Sequence, residues 1–277
     1  MSRSNPPELL IDATHAEKEY LKNLFQFREL LYFFAWRDIL VRYKQAFFGV
    51  AWALFRPLLN MLVFAFLFGR LANFSSENVN YPLFVLAAML PWQLFSNSVV
   101  DTCNSLINQS ALISKVYFPR MMIPLSQILV HYLEFGITTV LLLILGMVFG
   151  QINYWTILTL PFMVLLLTIL CVGIGLWLSA LTVAYRDFRI IVPFFVQFGM
   201  FISPVGYGTF IISETWRWVY FLNPMAGIID GFRWAFFGIS YPMMEYSIIF
   251  SAIISCGILI SGFHYFRTME RTFADQI

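Results

Sequence analysis

Six apolar stretches, each near bilayer length or just short of it, alternate along this chain with loops whose Lys and Arg fall almost entirely on one side. They run roughly over Phe47–Leu71, Tyr81–Leu106, Met121–Phe149, Tyr154–Ala184, Ile190–Pro204 and Tyr246–Phe266. Crossing about 30 Å of hydrocarbon takes on the order of 20 helical residues. The fifth stretch is short and needs a thinned bilayer or cover from neighbouring helices. An unpaired backbone group in hydrocarbon costs several kcal/mol, so such stretches must be helices. The expectation is an all-α integral membrane protein with six transmembrane helices. The composition agrees: 60% hydrophobic and 12% charged, where a soluble domain has about a quarter of its residues charged.

Thirteen of the 17 Lys and Arg gather in four places: the arm to Lys44 (Arg3, Lys18, Lys22, Arg28, Arg37, Arg42, Lys44), the pair Lys115 and Arg120, the pair Arg186 and Arg189, and the tail pair Arg267 and Arg271. The opposite loops hold only Arg70, Arg217 and Arg233, and Arg56 lies inside the first span. The positive-inside rule puts the four basic regions and both termini in the cytoplasm. Residues 1–20 are polar, without the apolar core of a secretory signal, and are expected to be disordered. Residues 271–277 form a cytoplasmic tail. Cys103, Cys171 and Cys256 are isolated, without metal-ligand or disulfide spacing, and read as small packing residues.

Over 21–45, Leu24, Phe27, Leu31, Phe34, Ile39 and Val41 oppose Lys22, Arg28, Arg37, Asp38, Arg42 and Lys44. That pattern describes a helix lying in the cytoplasmic interface, with an extension of the first span as the alternative. In the first span, Arg56-Pro57 pairs a helix breaker with an ionisable group that must face a cavity or a partner. In the second, a kink at Pro91-Trp92 is followed by Asn97, Asp101, Asn104 and Asn108 on one helix face. Such a face lines a protein contact or a watery vestibule. Residues 111–119 read as a short cytoplasmic helix ended by Pro119, suited to a soluble partner's grip. His131 and Glu134 share a face of the third span. They suit a proton relay or half a metal site, and more simply a satisfied contact between helices. Cys171, Gly175 and Ser179 let another helix approach the fourth span. Between the last two spans, Gly206 and Gly208 break the chain, Ser213 is a plausible N-cap, Asn223-Pro224 starts a second helix and Gly238 stops it. Pieces this short, over 213–238, point to interfacial or re-entrant helices on the outer side, with Trp216, Trp218, Tyr220, Trp234 and Phe236 at headgroup level. Glu214, Arg217, Asp230 and Arg233 argue against a seventh span.

No GxxxxGK[ST] loop occurs, so ATP is not bound here by that route. Without HExxH, GxSxG or a paired-carboxylate cluster outside the membrane, a catalytic reading has no support. Neither a metal site nor a nucleic-acid partner is expected.

Several strings then resemble one family: Trp36-Arg-Asp-Ile-Leu-Val-Arg-Tyr-Lys44, Gly49-Val-Ala-Trp52 leading to Arg56-Pro57, Leu90-Pro-Trp92, Leu112-Ile-Ser-Lys-Val-Tyr-Phe-Pro-Arg120, Tyr185-Arg-Asp187, Ser203-Pro204 and Leu222-Asn-Pro-Met-Ala226. Each is weak alone; together and in order they are similar to the membrane subunit of bacterial polysaccharide-export ABC transporters, the O-antigen branch, with capsule and teichoic-acid exporters as relatives. The resemblance implies an inner-membrane permease, itself no enzyme, working as a homodimer with two copies of an ATP-binding-cassette ATPase subunit that carries ATP and Mg. Its cargo would be undecaprenyl-diphosphate-linked glycan. Residues 21–45, 111–119 and 213–238 would be the interfacial, coupling and periplasmic gate helices, with Lys115, Tyr117, Phe118 and Arg120 at the ATPase contact.

A channel passing many sugars needs broad stacking surfaces, which aromatic rings supply. Trp92, Phe95, Phe194, Phe198, Phe201 and Tyr207 are the lining candidates. Guanidinium groups suit the carrier's diphosphate, and Arg37, Arg42 and Lys44 are the candidates there, with plain contact to anionic headgroups as the alternative. Other classes remain open: a drug or small-lipid exporter, a membrane-embedded transferase, or a scaffold without a pore.

Overall fold

The computed structural model describes residues 24, 26–44, 51–71, 79–116, 118–271 and 273. The arm 1–20, Tyr117 and nearly all of the tail lie outside them, as do the ends of the 21–45 helix and the start of the first span. The described residues contain no strand. In chain order their helices are α1 (Arg28–Lys44), α2 (Ala51–Phe64, continued as π-type turns over Ala65–Leu71), α3 (Tyr81–Asn108), α4 (Ser110–Ile113), α5 (Met122–Val148), α6 (Leu160–Ala184), α7 (Phe188–Ile202), α8 (Glu214–Tyr220), α9 (Pro224–Phe237) and α10 (Met244–Glu270). Four are long and apolar enough to cross a membrane: α3, α5, α6 with the 3-10 turn before it, and α10. Two apolar helices, Leu54–Gly69 and Phe188–Ile202, are shorter. The chain is a multi-pass membrane protein.

The most apolar window of α3 is 78% buried, against 22% for α10. This separates a central helix from a peripheral one: α3 is packed by α2, α5, α6, α7 and α9. It runs unbroken through Pro91. Lipid tails are as apolar as leucine, so close packing rather than burial from water must hold such helices together. Glycines on opposite faces of α6 provide it. A Cβ on Gly175 would lie 2.8 Å from Thr102 of α3, and one on Gly173 would lie 2.7 Å from the Leu259 backbone nitrogen of α10. The same seam carries the stacked rings of Trp177 and Tyr265, 4.3 Å apart. Of the cysteines, Cys103 and Cys171 are buried, whereas Cys256 points outward and packs no core.

Because backbone cannot yield as a side chain does, Gly173→Leu is expected to destabilise the chain by about 1–3 kcal/mol through overpacking. Gly257 lies on α10 too but has open space around its missing Cβ. Gly257→Ala should therefore be neutral or stabilising by up to about 1 kcal/mol. Thermal unfolding of both variants in one detergent checks the contrast.

Between α7 and α10 the sequence punctuation is visible in the backbone. Asn223 caps α9 by accepting from the Met225 N–H at 3.1 Å, Pro224 takes the first helical position, and Gly238 ends the helix at φ 70°. Ser213 occupies the N-cap position of α8, but its hydroxyl makes no capping bond. Arg233, read from sequence as an outer-loop charge, is instead fully buried. Its guanidinium donates to the carbonyls of Phe84 (3.3 Å), Tyr207 (3.0 Å) and Val205 (3.0 Å), pinning the 205–209 loop between α3 and α9. Asp230, equally buried, lies 3.8 Å from the same group and accepts from the Thr209 hydroxyl.

The expected cytoplasmic helix over 111–119 is much shorter. Only Ser110–Ile113 is helical, followed by a turn through Ser114 and Lys115. The Ser114 hydroxyl donates back to the Ala111 carbonyl, a local bond that competes with helix continuation.

Candidate functional site

A cavity of about 620 Å³ opens where α1, α2, α3, α5 and α7 meet. From α3 it takes Trp92, Gln93, Ser96, Asn97, Val100 and Asp101, which recur at helical spacing and so share a face. Across from them stand Arg42 and Tyr43 of α1, Trp52, Arg56 and Pro57 of α2, His131, Glu134 and Thr138 of α5, and Pro193, Val196, Gln197 and Met200 of α7. The polar stripe of the second span therefore lines both a cavity and a helix contact.

Its charges are organised around Arg42. One guanidinium nitrogen lies 2.7 Å from Asp101, the other 3.6 Å from Glu134 and 3.3 Å from His131 Nδ1. Arginine can only donate, so Nδ1 accepts, and His131 Nε2 donates to Asp101 at 2.9 Å. Tyr43 Oη donates to Glu134 at 3.1 Å, as does the Asn97 amide at 3.4 Å. Burial, with the Glu134 carboxylate beside it, pushes the Tyr43 phenol up to about 12, so it stays a donor at neutral pH. Further along the stripe, Asn104 and Asn108 accept from Arg189 at 3.0 and 3.4 Å. The His131/Glu134 pair is thus a satisfied interhelical contact that also faces the cavity. Among the described residues, no cluster of three or more His, Cys, Asp or Glu could hold a metal ion.

A second, apolar cavity of about 590 Å³ lies between α3, α6, α7 and α10, with Phe95, Phe188, Phe195 and Ile258 in its lining. The two cavities share Trp92 and Val196. Gly199 lets α7 approach there, since a Cβ on it would sit 3.1 Å from the Trp92 ring.

The family model described as ABC-2 type transporter matches residues 29–237, which span α1 through α9 and every wall of the polar cavity. The chain belongs to the ABC-2 type transporter family. It is accordingly a transporter's membrane subunit, and the family implies an ATP-binding partner subunit. The chain is 29% identical over 260 residues to the O-antigen export system permease protein RfbA of Myxococcus xanthus, covering 93% of this chain and 98% of the relative. It is also 29% identical over 258 residues to an RfbA of Klebsiella pneumoniae, covering 91% and 96%. The polysialic acid transport protein KpsM of Escherichia coli is 23% identical over 236 residues, covering 84% and 91%.

Within this ABC-2 permease the sequence candidates separate. Trp92 and Phe95 are buried, Trp92 at the wall between the two cavities. Phe194, Phe198 and Phe201 form an exposed ridge of α7 beside the face that carries Pro193, Val196, Gln197 and Met200, and none of the three lines the polar cavity. Tyr207 donates to the Ile202 carbonyl at 2.8 Å and meets the Tyr220 hydroxyl at 3.1 Å, in the loop that Arg233 pins. The three cations of α1 do not act together. Arg37, paired with Asp38 at 2.7 Å, and Lys44 flank an outer groove with Phe33, Trp36, Leu40 and Val41, while Arg42 turns inward.

At the 111–119 turn, Lys115 is exposed and Phe118 is buried edge-on against Phe34 of α1, with ring centroids 5.6 Å apart. Arg120 donates to the Glu270 carbonyl at 2.7 Å. This turn therefore touches both α1 and the end of α10. Gln93, Ser96 and Gln197 were missed by sequence reasoning, although Gln93 lies one helical turn before Asn97 on the recognised stripe.

Proposed function

We propose that this chain is the membrane subunit of an ATP-driven exporter moving lipid-linked polysaccharide, of the O-antigen type, across the bacterial inner membrane. The reading is carried by the similarity to O-antigen export permeases from two organisms over more than nine-tenths of the chain. A cavity walled by both polar groups and tryptophans suits an amphiphile bearing sugars, since indole offers an apolar face with one hydrogen-bond donor.

In this reading α2 and α7 join the four long helices as spans, six in all, with both termini in the cytoplasm by the positive-inside rule. Two copies of the chain form the channel, and two ATPase subunits supply ATP and Mg from below. Helix α1 lies at the cytoplasmic interface, where its exposed Tyr32, Phe33, Trp36 and Leu40 meet lipid. The 111–119 turn, with Lys115, Tyr117, Phe118 and Arg120, receives the stroke. Helices α8 and α9 gate the outer side. Trp92, Phe95, Tyr207 and, once two copies meet, Phe194, Phe198 and Phe201 present rings to passing sugars. Arg37 and Lys44 hold anionic headgroups at the entrance.

Complementation tests the reading. In an O-antigen host lacking its own permease, this chain with its cognate ATPase should restore surface O-antigen, and a hydrolysis-dead ATPase should abolish the effect. Retention of finished polymer inside cells that hold the folded chain would refute it. The KpsM similarity favours a second cargo, capsule polysaccharide, which the same assay in a capsule host distinguishes. Sugar transfer by the purified chain without ATPase would point to a transferase.

A further inference from the structure

The polar cavity is lined by two acids and two arginines, and only one of the arginines meets the acids. Asp101 and Glu134 are both met by Arg42, and His131, Tyr43 and Asn97 complete their hydrogen bonding. Arg56 lines the same cavity, is exposed, and makes no hydrogen bond or ion pair with any described residue. It is also the only charged residue between Ala51 and Phe64, a stretch otherwise apolar except for Asn60. A second donor has no acceptor either: the side-chain nitrogen of Gln93, buried and without a partner, belongs to a residue on the same wall. An ionised group in a membrane helix is costly unless something meets it, and a buried donor left unpaired is costly as well. Both costs fall if the missing component is an anion with several acceptor oxygens.

We propose that Arg56, assisted by Gln93, binds the phosphate oxygens of an amphiphile's headgroup inside this cavity. A guanidinium fork matches two phosphate oxygens at once, and the amide adds a third contact. The wall shared with the apolar cavity, formed by Trp92 and Val196, gives the amphiphile's tail an adjoining place. Arg42, a phosphate candidate by its sequence position, has a different part here. It is shared between the two carboxylates, which weakens their repulsion of the headgroup. This deepens the export reading, on which it rests for the identity of the amphiphile as a glycan carrier.

The test uses the chain with its ATPase partner in nanodiscs of zwitterionic lipid, with ligand binding followed by native mass spectrometry. Polyprenyl diphosphate and uncharged polyprenol are titrated in one arm and phosphatidylglycerol in another. Arg56→Gln should weaken polyprenyl diphosphate by about tenfold or more, the scale of a lost charge-assisted hydrogen bond. Polyprenol binding should not change. Gln93→Leu should cause a smaller loss, Arg56→Lys an intermediate one, and Cys256→Ser on the outward face of α10 none. If phosphatidylglycerol suffers the same loss in Arg56→Gln, the site stands and accepts phosphate headgroups from bulk lipid; if only the diphosphate does, the site is the carrier's.

Equal diphosphate affinity in Arg56→Gln and wild type overturns the proposal, as does a loss shared by polyprenol. Should Arg56→Gln fail to insert, Arg56→Lys and Gln93→Leu decide, and wild-type affinity in both overturns it. Normal complementation by wild type alongside an unaffected Arg56→Gln removes the site and leaves the export reading intact. Failed complementation removes the export reading, while an Arg56-dependent affinity would still support the anion site.

Discussion

Arg233→Leu is expected to destabilise the folded chain by about 3–5 kcal/mol, the range for breaking a buried charge pair from one side. The guanidinium is fully buried and lies 3.6 Å from the Phe84 ring centroid, so cation–π attraction is lost together with the hydrogen bonds. The carbonyls of Phe84, Tyr207 and Val205 lose a shared donor, and Asp230 is left as an uncompensated buried acid. Thermal unfolding in detergent is the first measurement, and protease access to the 205–209 loop the second. Asp230→Asn combined with Arg233→Leu should recover part of the loss, because it removes the stranded charge. An unfolding midpoint matching wild type would show that the loop is held by something else.

The next largest effect is expected at Arg42. Arg42→Met removes the cation facing Asp101 and Glu134 and leaves two acids on one cavity wall. The side chains of Arg42 and Asp101 are 33% and 35% exposed, so solvent screens part of the interaction. The cost should fall between the surface and buried limits, about 1–3 kcal/mol. It should be felt locally, as faster amide hydrogen exchange in α1, because Arg42 and Tyr43 tie that helix to α3 and α5, with Asp38 accepting from Gln127 at 2.6 Å nearby. Export should fall with it. Adding Asp101→Asn and Glu134→Gln to Arg42→Met should restore much of the exchange protection. Unchanged exchange in the single variant would mean that α1 is held by the packing of Phe34 against Phe118 instead.

Much of this was legible before any coordinates. A long apolar run can only be a helix in hydrocarbon, and Asn223-Pro224 and Gly238 carry their own backbone chemistry, so the bounds of α9 follow from local rules. The stripe from Asn97 to Asn108 announced a polar environment because a face of that kind cannot meet lipid. What could not be read was which partner each charge would meet. Asp230 and Arg233 looked like outer-loop charges because nothing local distinguishes an exposed ion from one wrapped by a loop 26 to 28 residues upstream. The aromatic candidates failed to converge for a related reason. A ring's type says that it stacks, but its helix phase decides where, and one step along α7 separates Pro193 on the cavity from Phe194 on the outer ridge. Arg37, Arg42 and Lys44 shared a sign and a segment, yet their angular positions sent them to opposite sides of α1.

The way α3 is packed has a mechanical consequence. Helices α5, α6, α9 and α10 join it in one mutually braced block, whereas α2 leans chiefly on α3 and α5, and α7 chiefly on α3. Those two weakly braced helices both line the polar cavity. Stiffness in this molecule is therefore unevenly distributed: the chamber can dilate by swinging two outer staves while its keel stays rigid, and cargo of varying girth need not disturb the packing that keeps the subunit folded.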